Sequence, residues 1–352
     1  MAKQYNVEQI SIIHKERWNN LLYSSLYPSY RQSLSFEYSK ESKGRKVSSF
    51  IFNLNGEDVA GVHYSIKRSK FNLLSTADIL SGIVFKIEPT VELLNYIINH
   101  FIGFAKSNKV AYVRITPWLP KLIADENTHY ELLFNQVLLN KGFDITHKGR
   151  HTYWIDLSKS EDELFKNVKS QTKRKIKKVI NSNMELETYD EFIHDKVSIF
   201  YSLYNKLGNN KDFEVLSQTE FFQHVKSLLD EGATLFLLKF NNTVVDVALS
   251  SNKGIATYYH GALNFDYKEL EGCSAPGHYM QWAMIRHMKN KGLKTYDMAF
   301  CPGPVPQQDH PNYGIWRFKY EFGGNHVEFL PTYGKIIKPL IGKLFKFLRD
   351  KK

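Results

Sequence analysis

Residues 50–66 read FIFNLNGEDVAGVHYSI. Two alternating apolar runs flank Asn55-Gly56, a dipeptide suited to the positive φ angles of a tight two-residue turn. The stretch therefore predicts a β-hairpin. Residues 235–250 read LFLLKFNNTVVDVALS and repeat the pattern around Asn241-Asn242. Each hairpin is followed by another apolar strand region, at 73–85 and 255–263. Each then leads to a helix, at 92–108 and 276–291, where Pro276 suits the first helical turn. A basic or glycine loop and a short strand close each series, at 110–116 and 294–300. The order strand, hairpin, strand, helix, strand thus occurs twice, and the spacing predicts a duplicated α+β unit.

The boundary between the copies is expected near residue 150. A helix at 132–141 stops at Gly142, a C-cap position. A strand at 152–157 then leads to Ser158-x-x-Glu161, which reads as a capping box opening one long helix at 161–181. The expected organisation is a first domain at 1–150, a second at 151–332 and a tail at 333–352.

The bulk composition fits this plan. A chain of 352 residues with 43% hydrophobic and 14% aromatic residues can bury two cores. The two cysteines, Cys273 and Cys301, form no disulfide framework, so a reducing, cytoplasmic compartment is expected. The N-terminal residues have no apolar signal-peptide core, and no run reaches the roughly 18 apolar residues of a membrane span. A net charge of +11 favours a polyanionic partner.

Three segments concentrate candidate chemistry. In the first, Lys166, Lys169, Lys173, Arg174, Lys175, Lys177 and Lys178 follow one another with no acid between them. On a helix they repel unless an anion neutralises them, so a phosphate-bearing partner and a plain solvated face both fit. In the second, the tail carries Ile337, Leu340, Ile341, Leu344, Phe345 and Leu348 in one stripe flanked by lysines. That pattern fits a helix in a membrane interface, or a terminal helix packed on the protein. The third is a Pro-rich loop from Asp297, leading into Trp316-Arg317-Phe318-Lys319-Tyr320. Read as a strand, this run points Arg317, Lys319 and Glu321 to one side, for catalysis or for a structural salt bridge.

Other chemistries lack their residues. Gly272–Gly277 is not a nucleophile elbow, and the 13 histidines show no metal-ligand spacing. Walker A and G-x-G-x-x-G motifs are absent. No metal and no cofactor are expected.

Four segments of the second half resemble the FemABX family, the aminoacyl-tRNA-dependent transferases that build peptidoglycan interpeptide bridges. They are 153–179 with its basic K-x-R-x-x-I signature, Tyr258-Tyr259-His260-Gly261-Ala262, 275–297, and the terminal 314–324 (GIWRFKYEFGG). In the first half, Gln32-Ser33 is similar to an early Gln-Ser element. The resemblance implies two tandem GNAT-like (acyl-CoA N-acyltransferase-like) domains. The family's inserted coiled-coil arm has no counterpart here. There are further departures. An Arg-Gly-Pro strand is replaced by Ser81-Gly82-Ile83, an Asp-Pro by Thr116-Pro117, and an Arg-Pro-x-x-Tyr segment by residues 217–221. These put the acceptor in doubt rather than the fold.

The resemblance implies an enzyme that moves an aminoacyl group from aminoacyl-tRNA to an amine of a lipid- or nucleotide-linked cell-envelope precursor. The family's Phe-Lys pair falls on Phe318 and Lys319. Lys319 would stabilise developing negative charge, and Phe318 would shape the acceptor channel. Tyr258, Tyr259, Trp316, Arg317 and Gln32 are the expected substrate-binding residues, and Lys173, Arg174 and Lys177 the expected phosphate or tRNA contacts. The first domain would serve the acceptor, the second the donor, and the tail a peripheral membrane contact. Two alternatives stand beside this. One is an acyl-CoA-dependent N-acyltransferase acting on an envelope sugar, disfavoured by the spacing of 269–277 and by Pro276. The other is a non-catalytic binding module.

Overall fold

A computed structural model describes residues 4–69, 75–180, 182–211 and 214–339. The chain forms two compact units, Met1–Arg150 with Val327–Lys352, and His151–His326.

In the first unit the strands Arg45–Leu54 and Glu57–Arg68 form the expected hairpin. Its turn residues, Asn55 and Gly56, have φ of 54° and 88°, as a primed turn requires. Tyr5–Ile10 pairs with the outer strand of this hairpin. On the other side Ser75–Leu80 pairs antiparallel with Glu57–Arg68 and parallel with Tyr112–Thr116. The parallel step needs a crossover, supplied by the helix Val91–Ser107, which Thr90 caps through Leu93 N at 3.2 Å. Leu94, Ile97, Ile98, Phe101 and Ala105 of that helix recur at helical spacing and are buried with Phe52, Tyr64 and Phe134. Each such large side chain stabilises the fold by roughly 1.5–3 kcal/mol.

The same sheet is extended by a strand from the far end of the chain. Thr332–Ile336 pairs antiparallel with Tyr112–Thr116 on one side and with Asp144–His147 on the other. Residues 327–332, expected in the second domain, thus lie in the first unit. The expected tail at 333–352 begins as strand instead of amphipathic helix. Tyr333 is fully buried and donates to Asn135 Oδ1 at 2.7 Å, which pins the strand. The apolar stripe from Leu340 onward lies outside the described residues.

The second unit repeats the order. The hairpin Ala233–Phe240 and Thr243–Ser251 turns at Asn241 (φ 47°) and Asn242 (φ 65°). Met184–Tyr189 flanks it on one side and Ala256–Leu263 on the other. Ala256–Leu263 runs parallel to Thr295–Asp297 after the crossover helix Pro276–Asn290. His151–Asp156 then pairs antiparallel with Thr295–Asp297. The parallel pair touches only at Ala256–Tyr296 and Thr257–Asp297, so Tyr258–Leu263 parts from its neighbour.

The single helix expected at 161–181 is two helices, Glu161–Asn167 and Ser170–Ile180. Val168 is extended (ψ 139°) and breaks the run. The cap also differs, because Ser160 and Glu163, not Ser158 and Glu161, form the capping box. No described helix is long and apolar enough to cross a membrane.

Candidate active site

Lys319 sits in the second unit on the helix Tyr313–Tyr320. The expected strand is absent because the run starts after a turn at His310–Tyr313, and its apolar residues then meet neighbours at helical spacing. Arg317 and Lys319 therefore do not share a face. Lys319 is buried, and its Nζ donates to the Phe300 carbonyl at 2.6 Å. Burial pushes its pKa down to about 8, opposed by Asp297. An ammonium carries three donors, so two remain after the Phe300 bond.

The loop that presents Phe300 is rigidly held. Met298 N donates to Tyr153 O at 3.0 Å and Cys301 N to His151 O at 2.8 Å, while Ala299 between them has φ of 61°. Asp297, 1% exposed, accepts from Ala299 N at 2.8 Å and from Thr152 Oγ1. Asp297 thus fixes the loop and opposes the downward shift at Lys319.

Arg317 and Trp316, expected to bind substrate, make contacts that brace the helix. Arg317 Nε pairs with Glu321 Oε1 at 3.0 Å, one helical turn away. The other carboxylate oxygen of Glu321 accepts from the buried Thr172 Oγ1 at 2.6 Å, and Lys169 N donates to Glu321 O at 2.8 Å. Trp316 is buried and donates from Nε1 to Pro304 O at 2.5 Å and Tyr153 OH at 3.1 Å. Gly323, at φ 74°, completes the brace. A Cβ there would lie 2.2 Å from Asn167 O, so only glycine fits.

Phe318 faces a different surface. Its ring meets His278 at 5.0 Å and Phe322 at 5.4 Å, both nearly edge-on. His278 lies 3.1 Å through Nε2 from Lys175 Nζ. Burial first, then Lys175, holds its pKa down to about 4, so neutral His278 accepts from the lysine. Of the expected phosphate contacts, Lys173 donates to the Lys166 carbonyl at 2.7 Å and caps a helix end. Arg174 and Lys177 are exposed, and Lys177 Nζ lies 5.8 Å from the Phe165 ring centre.

Tyr258 and Tyr259 meet at a β-bulge, where Leu249 pairs with His260 and Ser250 with Tyr258. Bulges re-aim side chains and are common beside active sites. Tyr258 packs against the core of the unit, and burial raises its pKa, helped by Asp246. Asp246 is a buried acid near Tyr258 that motif reading does not reach. The residue is 6% exposed, and a Cβ on Gly277 would sit 3.8 Å from its Oδ2. Burial pushes its pKa up to about 7. The available signal is a lone acid inside the apolar strand Thr243–Ser251. Asp246 acts on Tyr258, Tyr258 and Asp297 act on Tyr296, and Asp297 acts on Lys319.

Gln32, in the first unit, is committed to the fold. Its Oε1 accepts from Ser29 N at 2.9 Å, and its carbonyl accepts from Trp18 Nε1 at 2.8 Å. Ser217, in the segment that departs from Arg-Pro-x-x-Tyr, caps the helix Gln218–Asp230 with Glu220, and Phe221 is core.

Each unit couples an antiparallel strand run to a parallel pair through a crossover helix, and together they define a tandem GNAT-like protein. The crystal structure of FemX matches with a TM-score of 0.81 at 17% identity, over 96% of this chain and 99% of that one. A tandem GNAT protein from the clavulanic acid biosynthesis pathway matches at 0.53 with 9% identity, over 95% and 99%. The profile of the FemAB family covers residues 13–256 and 244–350, and the chain belongs to that family. Similar curated proteins include the Lipid II:glycine glycyltransferase of Staphylococcus haemolyticus (strain JCSC1435), 32% identical over 95 residues, or 27% of this chain and 22% of that one. The Staphylococcus aureus protein of the same description is 23% identical over 140 residues, 40% and 28% of the two chains. The chain spans about a quarter of the length of these relatives.

Proposed function

We propose that this protein transfers an aminoacyl group from aminoacyl-tRNA to an amine of a peptidoglycan precursor or another cell-envelope precursor. The buried Lys319, held on the Phe300 carbonyl in a FemAB chain, is the observation that carries this reading. The names of the glycyltransferase relatives support a lipid-linked acceptor. The acceptor amine attacks the ester carbonyl, the new C–N bond forms, the bond to the ribose oxygen breaks, and the proton lost by the amine ends on that oxygen as the ribose hydroxyl. The two remaining donors of Lys319 stabilise charge on the tetrahedral oxygen or on the departing ribose oxygen. An activated ester needs a positioned, deprotonated amine and no enzyme nucleophile. Phe318 and Tyr258 shape the acceptor channel. The exposed Arg174 and Lys177 meet tRNA or substrate phosphates. The reaction belongs on the cytoplasmic side of the envelope, with peripheral contact to the membrane surface.

An acyl-CoA donor is the second reading, favoured by the fold alone. Pro276 opens the crossover helix without an amide donor, and Ala275 before it is left-handed (φ 49°). That geometry removes an N–H from the helix terminus that would cradle a pyrophosphate. Purified protein supplied with lipid-linked precursors and either labelled aminoacyl-tRNA or labelled acyl-CoA separates the two. Label is expected from tRNA, and transfer from CoA alone would overturn the reading.

A further inference from the structure

Asp246 lies on the strand Thr243–Ser251, opposite Leu263 of the next strand. Two positions along the same pair, Ala248 lies opposite Gly261. Side chains on a strand return to the same face every second residue, so Asp246 and the vacant side of Gly261 share one face of the sheet. The Tyr258 hydroxyl occupies the place that a Cβ on Gly261 would take. The phenol therefore lies on the same face as the Asp246 carboxylate. A second glycine approaches from the first turn of the helix Pro276–Asn290, where a Cβ on Gly277 would stand 3.8 Å from Asp246 Oδ2.

The two polar groups have few partners. Asp246 accepts from the Val247 amide, and no cation pairs with it among the described residues. An ionised carboxylate offers about four lone-pair sites, so most of its capacity is unused. Tyr258 makes no hydrogen bond among the described residues. A buried acid in this state opposes folding, and such acids are kept where a ligand compensates them.

The place is also approachable. Ala256–Leu263 pairs with its parallel neighbour only through Ala256 and Thr257, so the strand is released from that neighbour from Tyr258 onward. Gly261 and Gly277 are half-buried, and neither puts a side chain in front of the carboxylate.

We infer that Asp246, with the Tyr258 hydroxyl beside it, binds the α-ammonium group of the aminoacyl donor. An ammonium carries one positive charge and three donors, which suit a carboxylate and a phenol oxygen that lack side-chain partners. The acceptor amine does not fit this place chemically. It must be neutral to attack an ester, whereas a carboxylate holds a neighbouring amine protonated. The donor's own amine has the opposite need, because only its protonated form is kept from attacking an ester. This inference rests on the proposed aminoacyl donor and adds the group that recognises it.

Two acceptor-stem RNA minihelices test it. Each ends in an adenosine whose aminoacyl ester is replaced by a stable amide, one carrying a glycyl group and the other an acetyl group. They differ only in the ammonium. Titration calorimetry with the full chain should show the glycyl form bound roughly 10- to 100-fold more tightly, the scale of one hydrogen bond to a charged group. Asp246→Asn should bring that ratio close to one and leave the acetyl affinity in place. Tyr258→Phe should lower the ratio by a smaller factor. Damage to the fold would weaken both ligands alike, and Tm reports it separately. Equal affinities in wild type, or an unchanged ratio in a folded Asp246→Asn variant, overturn the inference and leave the proposed function standing. Failure of both minihelices to bind removes the aminoacyl-tRNA donor, and this inference with it.

Discussion

The ammonium nitrogen of Lys319 lies 2.6 Å from the carbonyl oxygen of Phe300. That carbonyl belongs to a loop pinned by Asp297, Tyr153 and His151, so the lysine is fixed from a second element and not only by its own helix. A buried ammonium with one fixed partner keeps its remaining donors for a reacting group.

A pH dependence follows from this placement. Lys319 loses its proton near pH 8 in the folded protein, below the ordinary lysine value. The transfer rate should fall as pH rises through about 8, after correction for ester hydrolysis of the donor. Lys319→Arg stays charged in this range, so whatever rate it retains should lack that falling limb. An unchanged limb in the arginine variant would assign it to another group.

Asp246 gives a stability prediction of opposite character. Its folded pKa is raised to about 7, so the folded state binds more protons than the unfolded state between roughly pH 4 and 7. Stability therefore falls as pH rises through that window. Asp246→Asn should gain up to a few kcal/mol over wild type at pH 8 and lose that advantage near pH 4. Denaturant unfolding at the two pH values measures the difference.

Gly323 should tolerate no side chain. Its φ of 74° and the 2.2 Å approach to Asn167 O both oppose a Cβ. Gly323→Ala should cost roughly 3 kcal/mol or more and lower Tm by several degrees. Gly103→Ala, where a Cβ meets nothing within 4 Å, serves as the control and should be close to neutral or stabilising.

Thr172→Val keeps the shape of the brace but removes the 2.6 Å bond to Glu321. The carboxylate then retains Arg317 alone, and the loss should be roughly 1–3 kcal/mol in thermal or denaturant unfolding.

Much of the fold is legible in the sequence because its signals are local. Asn55-Gly56 and Asn241-Asn242 specify their turns through backbone preference alone, and the helical spacing of Leu94, Ile97, Ile98 and Phe101 specifies a buried face. The strand Thr332–Ile336 is not legible. Its partners, Tyr112–Thr116 and Asp144–His147, are distant in sequence, and Tyr333 is specified by burial there rather than by a local pattern. The 316–320 run misleads for a related reason. Aromatic and basic residues alternate as in a strand, yet Arg317 finds Glu321 and Trp316 stacks on Tyr320, both one helical turn on. Lys319 falls on a family motif, whereas Asp246 belongs to no motif and is signalled only as a lone acid in an apolar strand.

The most direct test is the rate of label transfer from aminoacyl-tRNA to a lipid-linked precursor, compared between wild type and Lys319→Met. Methionine fills a similar volume without charge, and Tm reports whether the fold survives. The expected result is a rate lowered by roughly 10²–10³-fold, the scale for removing a positioned charge-stabilising donor, with Tm equal or higher. Equal rates in a folded Lys319→Met variant would contradict the account.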